Sequence, residues 1–273
     1  MLETLHYAFM QRALFAALLA SVACGIIGCY VIVKRMVFIS GGVAHASFGG
    51  VGLGIFTGIN PVLGALLFTP VAAVLMGWVT KKTRLPEDTA IGILWSIGMA
   101  LGIIFINLST GYVGNPFSFL IGNILLVSSF DINLMIALDV VIVLATILFY
   151  KEFLALSFDE EFSMVIGVPT GVLYLVLLCL IALTVVILIR VVGIILVIAL
   201  LTFPAAMARR FTYNLKTMMV LAIIFSAVFT LGGLWLSAEF GVASGATIIL
   251  FGGVVFLVTL GFSGLRGARK VAG

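Results

Sequence analysis

Charge is scarce in this sequence: only 9% of its 273 residues are Asp, Glu, Lys or Arg, whereas 64% are hydrophobic. A soluble domain has about 25% charged residues, so this chain has too few polar groups to cover a globule in water. The three cysteines, Cys24, Cys29 and Cys179, lie inside apolar runs, and so small a number excludes a disulfide-stabilised secreted scaffold. The composition excludes a soluble enzyme and a disordered chain, and it indicates a membrane protein.

The sequence also lacks the motifs of energy-transducing and catalytic modules. It contains no G-x-x-x-x-G-K-[ST] nucleotide loop, no H-E-x-x-H, no G-x-S-x-G and no C-x-x-C. The glycine run at 49–58 does not complete G-x-G-x-x-G, because Ile55 stands at the third glycine position. Three classes of membrane protein therefore remain: a transporter or channel, an intramembrane enzyme, and a structural subunit.

The apolar runs predict an all-α polytopic membrane protein with eight to nine membrane-spanning helices in a single domain, 1–273. A spanning helix needs about 20 apolar residues, whereas barrel strands would alternate apolar and polar residues over about ten positions. Here the runs are continuous. The nine predicted spans are 13–33, 36–58, 61–80, 89–107, 131–150, 170–189, 191–208, 217–236 and 245–264. The stretch 108–130, which includes Gly111, Gly114 and Pro116, is predicted to form an outer or re-entrant helix.

The basic residues indicate how the chain is oriented, because cytoplasmic loops carry an excess of Lys and Arg. If nine spans alternate, twelve of the fourteen basic residues fall on one side, and only Arg12 and Arg190 fall on the other. The twelve are Lys34, Arg35, Lys81, Lys82, Arg84, Lys151, Arg209, Arg210, Lys216, Arg266, Arg269 and Lys270. We therefore expect the N-terminus outside and the C-terminus in the cytoplasm. The net charge of +4 follows from this topology and requires no nucleic-acid partner.

The segment 151–169, between the fifth and sixth spans, is predicted to form a short cytoplasmic helix at about 158–166. Ser157 followed three residues later by Glu160 matches a capping box, in which the two side chains bind free backbone N–H groups at a helix start. Gly167 suits the left-handed residue that follows a helix, and Pro169 prevents its continuation. These start and stop signals indicate a helix too short to cross the membrane.

This short helix combines acidic and apolar residues. Three acids, Asp159, Glu160 and Glu161, lie at the positive end of its dipole, and an apolar side consists of Phe158, Phe162 and Val165. Such a helix rests on lipid headgroups or binds a cytoplasmic protein. Its acidic character suits an anionic inner leaflet poorly, so the pattern favours a protein partner.

Several stretches of the sequence resemble one family of transport proteins. They include 157–162 (SFDEEF) with 166–169 (IGVP), 34–40 (KRMVFIS) with 44–46 (AHA), 122–128, 190–197, 203–209 and 244–250. They are similar to segments of the membrane-spanning permeases of metal-type ABC importers, which take up manganese, zinc or iron chelates. The stretches occur in the family's order and cover nearly the whole chain.

The resemblance implies a permease in the cytoplasmic membrane of a prokaryote that pairs with a second copy around a central path. ATP would bind to two separate ATPase subunits, and an extracytoplasmic metal-binding protein would deliver a divalent metal or its chelate as cargo. The chain itself would bind no cofactor and catalyse no reaction. Contact with the ATPase would involve Ser157, Phe158, Asp159, Glu160, Glu161, Phe162 and Gly167.

Few ionisable residues are available to line a path through the membrane. His45 lies within the second span, Asp139 lies in the middle of the fifth, and Glu239 lies just beyond the eighth. Imidazole and carboxylate groups suit zinc, manganese and ferrous iron. The family usually has an aspartate four residues before this histidine and an acidic residue at the position of Gly241, whereas this chain has Gly41 and Gly241. An interhelical hydrogen bond is the alternative role for His45 and Asp139, and Glu239 is otherwise a solvated charge.

Other functions remain open on the sequence alone. A permease for a vitamin or siderophore would share the architecture, with a wider and less charged path. A passive channel would need no ATP, and an intramembrane enzyme would use His45 and Asp139 together. Gly50, Gly54 and Gly58 recur every four residues and predict close packing of the second span against a neighbouring helix.

Overall fold

The computed structural model describes residues 7–109 and 117–271, so Gly111, Gly114 and Pro116 of the predicted re-entrant segment lie outside the described residues. The described part forms twelve α-helices and no strand. The helices are α1 (Ala8–Val33), α2 (Val37–Thr57), α3 (Pro61–Lys82), α4 (Glu87–Leu108), α5 (Phe117–Ile121), α6 (Ser129–Leu148), α7 (Tyr150–Phe158), α8 (Glu160–Val165), α9 (Thr170–Val191), α10 (Val197–Arg209), α11 (Leu215–Phe240) and α12 (Ser244–Val271).

Eight helices in the described part are long and apolar enough to cross a membrane: α1, α2, α3, α4, α6, α9, α11 and α12. They confirm the predicted all-α polytopic fold and eight of its nine spans. Polar residues set several of their ends. Asn60 caps α3 by accepting a hydrogen bond from the N–H of Val62 at 2.9 Å, and Asn214 caps α11 in the same way. The most buried spans are α1, α2 and α9, whereas α4, α6 and α12 lie mostly on the outside.

Contacts between helix ends bring basic residues from several loops to one face of the bundle. Lys34 after α1 and Lys81 at the end of α3 both bind Glu160 of α8. Arg209 at the end of α10 donates a hydrogen bond to the carbonyl of Ile32 near the end of α1. We call this end of the bundle the basic face.

An ion pair marks the opposite face. Arg190, near the end of α9, lies 3.3 Å from Asp131 at the start of α6. Asp131 also closes a capping box with Ser128, which fixes the first turn of α6. The guanidinium of Arg190 lies over the ring of Phe119 in α5. Arg190 therefore lies on the face opposite to the basic residues, as the alternation of nine spans predicts.

The seventh predicted span, 191–208, is shorter than expected. Gly193 has a φ of 78°, which ends the helical path after α9, and a 3₁₀ turn at Ile194–Leu196 precedes the 13-residue α10. A helix of that length rises about 20 Å, less than the bilayer core of about 30 Å. Because α9 ends on the face of Arg190 and α10 ends on the basic face, this short segment still joins the two faces.

The second span is packed by glycine, as the sequence predicts for two of the three positions. An added Cβ at Gly50 would meet Gly64 and Ala65 of α3, and one at Gly54 would meet Pro61. Gly58 departs from the prediction: it ends α2 in the left-handed conformation, with nothing within 4 Å of an added Cβ. At Gly50 and Gly54 the backbones of α2 and α3 thus lie close together, which favours joint movement of the pair.

Three glycines meet at the face of Arg190. Gly122 and Gly193 both have positive φ, at 73° and 78°, and an added Cβ at either would overlap the backbone of the other. Gly245, in the first turn of α12, lies against the carbonyls of Ile121 and Val192. The backbone crossing therefore joins the segment before α6, the end of α9 and the start of α12 without side chains between them.

Replacing Gly193 tests this crossing. In Gly193→Ala, the backbone at φ 78° and ψ 161°, a conformation that is essentially restricted to glycine, costs about 1–3 kcal/mol, and the new Cβ would overlap Gly122. We expect the melting temperature of the purified protein to fall by about twice as much as in Gly58→Ala, the control. Gly58 also has a positive φ, at 73°, but its ψ of 11° lies in the left-handed helical region and open space surrounds it. Equal losses in the two variants would show that the close approach at Gly193 is unimportant.

Candidate functional site

The predicted short helix between the fifth and sixth spans is present but begins later than expected. Helix α7 continues through Phe158, and the hydroxyl of Ser157 donates to the carbonyl of Phe153 instead of capping a helix. Asp159 caps α8 by accepting a hydrogen bond from the N–H of Phe162 at 2.9 Å. The predicted capping box of Ser157 and Glu160 is therefore wrong, because the chain has an acid two residues after Ser157 that takes the capping role.

The predicted end of the short helix is confirmed. Gly167 has a φ of 85° and follows Ile166, which ends α8. The N–H of Gly167 bonds to the carbonyl of Met164, and the N–H of Val168 bonds to that of Ser163. These bonds satisfy the carbonyls at the end of the helix, as in other helices that end at glycine.

Helix α8 presents an apolar surface to its surroundings. Its large side chains are mostly exposed, and Val165 reaches 84%. We call these residues the α8 patch: Phe158, Phe162, Met164, Val165 and Ile166. Five large apolar side chains on and beside one short helix are thus exposed, and in soluble surroundings such exposed apolar surface marks a site of protein contact.

Glu160 attaches α8 to two membrane-spanning helices. Its carboxylate oxygens lie 2.9 Å from Lys34 Nζ and 2.7 Å from Lys81 Nζ. Lys34 also donates to the carbonyl of Leu156 in α7 at 2.9 Å, and Lys81 lies over the ring of Tyr174 in α9. One carboxylate therefore links α8 with the end of α3 and with the short connection between α1 and α2.

The two lysines determine the ionisation of Glu160. Burial raises the pKa of its carboxyl, but hydrogen bonds from Lys81 and Lys34 and their positive charges outweigh this effect and lower the pKa below its ordinary value. Glu160 therefore stays charged at neutral pH and keeps both contacts.

His45, the first candidate on the path, belongs to α2, and its side chain faces α4. Its ring stacks on Trp95 of α4, with centroids 4.1 Å apart and an angle of 14° between the planes. The ring is half-buried, and its Nδ1 is buried without a hydrogen-bond partner among the described residues. An imidazole held by stacking, with an unused ring nitrogen, is able to bind a metal.

The structure explains why glycine, and not an acidic residue, occupies positions 41 and 241. An added Cβ at Gly41 would overlap the side chain of Ile198 in α10, so a carboxylate there would need Ile198 to move. Gly241 ends α11 with a φ of 65°, a conformation that residues other than glycine rarely adopt. Glu239 lies in the last turn of α11 and is exposed.

Asp139, the third candidate, lies apart from His45. It is buried on α6 at 6% exposure, close to Cys24 of α1. Neither of its carboxyl oxygens has a hydrogen-bond partner among the described residues, so the interhelical hydrogen bond that was the alternative role for Asp139 is not formed there. Helix α6 packs on α1 and α9, whereas α2 packs most extensively on α3 and α4. The arrangement offers no support for joint chemistry by His45 and Asp139.

A single copy of the described chain does not contain a complete metal site. Among the residues whose side chains are described, no three His, Cys, Asp or Glu residues lie close enough to hold one ion. His45, Asp139 and Glu239 are thus separate positions and not one cluster.

Comparison with known proteins agrees with this geometry. The model of the ABC 3 transport family matches residues 6–263. The chain belongs to the ABC 3 transport family. This membership confirms the resemblance to ABC permeases, and it identifies a multi-pass transport permease of the prokaryotic cytoplasmic membrane.

Relatives of this ABC 3 permease match along nearly their whole length. The chain is 47% identical to an uncharacterized membrane protein, slr2045, of Synechocystis over 262 residues, which are 96% of this chain and 93% of the relative. It is 34% identical to the manganese transport system membrane protein MntC of Halalkalibacterium halodurans over 265 residues, 97% and 91% of the two. The solved structure of PsaBC from Streptococcus pneumoniae in complex with Fab has a TM-score of 0.85 and 32% identity, with 94% of this chain and 93% of that chain covered.

Sequence reasoning missed three residues of this ABC 3 permease that the structure places at its candidate sites. Lys34 and Lys81 entered only as topology markers, yet they bind Glu160. Trp95, which stacks on His45, was not singled out. The sequence predicts Glu160 on the same face as the lysines, and this was a signal for its contacts with Lys34 and Lys81. No signal in the sequence pairs Trp95 with His45, because their contact depends on how α2 and α4 pack.

The pH dependence of stability tests the Glu160 contacts. A lowered pKa stabilises the fold above the ordinary glutamate pKa of about 4.3, and this contribution disappears as the pH falls through the lower pKa of the folded state. We expect Glu160→Gln to lower the melting temperature at pH 7 by about 2–4 °C, as for a loss of about 1 kcal/mol, and to have a smaller effect at low pH.

Glu161→Gln is the matched control for that measurement, because Glu161 is an exposed neighbour on the same helix. Its melting temperature should follow that of the unmodified protein at both pH values. A Glu160→Gln variant as stable as the control at pH 7 would contradict a stabilising role for the two ion pairs.

Proposed function

We propose that the chain is the membrane-spanning subunit of an ATP-driven importer for divalent metal, with manganese as the first candidate cargo. Two copies would enclose the path, two separate ATPase subunits would bind on the basic face, and an extracytoplasmic binding protein would deliver the metal to the opposite face. The observation that carries the proposal is the exposed α8 patch on a family member without a nucleotide loop of its own. The name of the MntC relative supports manganese, while zinc, iron and metal chelates are the other cargoes to test.

The α8 patch is the proposed docking site of the ATPase. Its side chains project from a helix that is too short to cross a membrane and is fixed at both ends, by Asp159 and Gly167. A rigid helix loses little conformational freedom on binding, which favours both affinity and the transmission of movement. Under this proposal the basic face is cytoplasmic, in agreement with the excess of positive charge there.

Glu160 provides a route from the ATPase to the path. A displacement of α8 would act on Lys34, which lies in the three-residue connection between α1 and α2. Helix α2 holds His45 and packs closely on α3, whose end binds the same carboxylate through Lys81. Closure of the ATPases would thereby tilt α2 and α3 together and alternate the access to the path.

His45 is the proposed path residue, and the second copy completes its site. One protomer offers the metal a single imidazole there, so a site of several ligands needs groups from elsewhere. Helix α4, which holds Trp95 against His45, has an exposed outer face of apolar side chains, including Ile93, Ile97 and Ile104. A partner protomer seated on this face would bring its own His45 toward the same path. Glycine at position 41 leaves this site with fewer carboxylates, which suits weak binding and release.

Introducing a charge into the α8 patch tests the docking assignment. Val165→Asp alters a side chain that is 84% exposed, so the permease should still fold, but the buried charge should weaken ATPase binding about tenfold or more. Co-purification with the cognate ATPase provides the measurement. Phe240→Asp, at an exposed apolar residue at the end of α11 on the opposite face, is the control and should bind normally. Normal binding by Val165→Asp would refute docking at α8.

Uptake by reconstituted permease tests the path and the cargo together. With ATPase, binding protein and ATP, liposomes should accumulate manganese, and His45→Ala should reduce uptake at least about tenfold without loss of ATPase binding. Ser47→Ala is the control on the same helix, because the Ser47 hydroxyl bonds only to its own helix at Ala44. Flux without ATP would indicate a channel. Unchanged uptake in His45→Ala would remove His45 from the path.

A further inference from the structure

A cleft lies between the α6–α7 junction and the first turns of α11, away from His45. Its volume is about 710 Å³, and Ile26 of α1 forms part of its wall. The cleft opens beside Lys151 and Lys216, which the sequence assigns to the cytoplasmic side, and it extends into the membrane along α6. The cleft is not part of the proposed transport path, so a ligand that occupies it needs a separate explanation.

The mouth of the cleft holds three charged groups and one aromatic ring. Lys151 and Lys216 contribute two ammonium groups, and Lys216 Nζ lies 4.9 Å from the centre of the Tyr150 ring. Glu152 contributes a carboxylate whose Oε2 is buried without a hydrogen-bond partner among the described residues. The mouth therefore has a net charge of +1 and one unused hydrogen-bond acceptor.

Below the mouth, the cleft changes from polar to apolar. Thr146, one turn before Tyr150, is 6% exposed, and its buried Oγ1 has no hydrogen-bond partner among the described residues. A buried hydroxyl left unbonded costs about 1–3 kcal/mol, so an acceptor supplied by a ligand would be favourable here. Deeper still, the walls are the aliphatic side chains of Val143, Ile147, Val220 and Ile223.

We propose that this cleft binds an anionic glycerophospholipid with a hydroxylated headgroup, of which phosphatidylglycerol is the simplest. The phosphodiester lies between Lys151 and Lys216, and a headgroup hydroxyl donates to Glu152. The Thr146 hydroxyl donates to an ester carbonyl of the glycerol backbone. An acyl chain packs along the aliphatic walls between α6 and α11.

Charge and depth distinguish this ligand from other occupants. A phosphodiester has one negative charge, which matches the net charge of the mouth, whereas a phosphatidylcholine headgroup is neutral overall and has no donor for Glu152. Val143 and Lys151 are eight residues apart, or about 12 Å along a helix. The charged, ester and acyl parts of one lipid therefore occur in the same order as Lys151, Thr146 and Val143. A soluble phosphate would leave the apolar part of the cleft unfilled.

Native mass spectrometry of the purified, delipidated full-length chain tests the proposal. We expect phosphatidylglycerol to bind at least about fivefold more tightly than phosphatidylcholine, with about fivefold lost for each lysine removed in Lys151→Gln and Lys216→Gln. Lys82→Gln removes an exposed lysine at the end of α3, outside the cleft, and should leave binding unchanged. Thr146→Val keeps the shape and all charges, and it should weaken binding severalfold while the melting temperature without lipid stays the same or rises.

Three outcomes would overturn the proposal. Equal binding of phosphatidylglycerol and phosphatidylcholine would show that the cleft does not recognise the headgroup. Unchanged binding in the lysine variants and in Thr146→Val would place the lipid elsewhere. Displacement of the lipid by equimolar glycerol phosphate would identify a soluble phosphate ligand. Because lipid binding is measured without ATP, ATPase or metal, these outcomes are independent of the proposed transport function.

Discussion

The bridge from Glu160 to Lys34 and Lys81 is the interaction on which the proposed function depends. Charge is scarce in this chain, yet here one carboxylate holds two ammonium groups at 2.9 and 2.7 Å. These contacts attach α8, which presents the exposed patch, to helix ends that α8 would otherwise touch only lightly. Lys34 lies in the connection between α1 and α2. The ion pair therefore links α8 directly to the start of α2, the helix that contains His45. This bridge forms the first part of the proposed transmission of movement from α8 to the path. The second part is the backbone packing of α2 on α3.

Helix packing explains how a displacement at one end of the bundle would reach its interior. Gly50 and Gly54 let the backbones of α2 and α3 approach closely, so sliding one past the other would bring backbone atoms into conflict. At the opposite face, Gly122, Gly193 and Gly245 join three backbone segments just as closely. The molecule therefore combines closely packed helix pairs with a single attached helix on the basic face. Such a construction favours tilting of whole helices over local bending.

Most of the fold was predictable because the bilayer imposes simple requirements on sequence. Runs of about 20 apolar residues predicted eight of the spans. The start of α10 was missed because a glycine inside an apolar run gives no sign of its φ, and the φ of Gly193 is positive, at 78°. The start of α8 was missed because Ser157 and Asp159 are both good caps. The choice between them depends on α7 continuing through Phe158, which allows Ser157 to bond back to Phe153.

The candidate site was less predictable, because its geometry arises from contacts between distant segments. The resemblance to metal-type permeases pointed to His45, but the stacking on Trp95 follows from the crossing of α2 and α4. Gly41 was recognised as a departure from the family, and its reason, the proximity of Ile198 in α10, appears only in the packed structure. Likewise, the cleft beside Lys216 combines residues from four helices, and no single stretch of sequence contains its pattern.

The most direct test of whether movement is transmitted through the Glu160 bridge is the amount of metal transported per ATP hydrolysed in Glu160→Gln. In liposomes that contain permease, ATPase and binding protein, the variant should still assemble and hydrolyse ATP, because the α8 patch is intact. We expect the ratio of manganese taken up to ATP hydrolysed to fall severalfold, while Lys82→Gln keeps the normal ratio. An unchanged ratio in Glu160→Gln, at normal expression and assembly, would contradict the transmission of movement through this bridge.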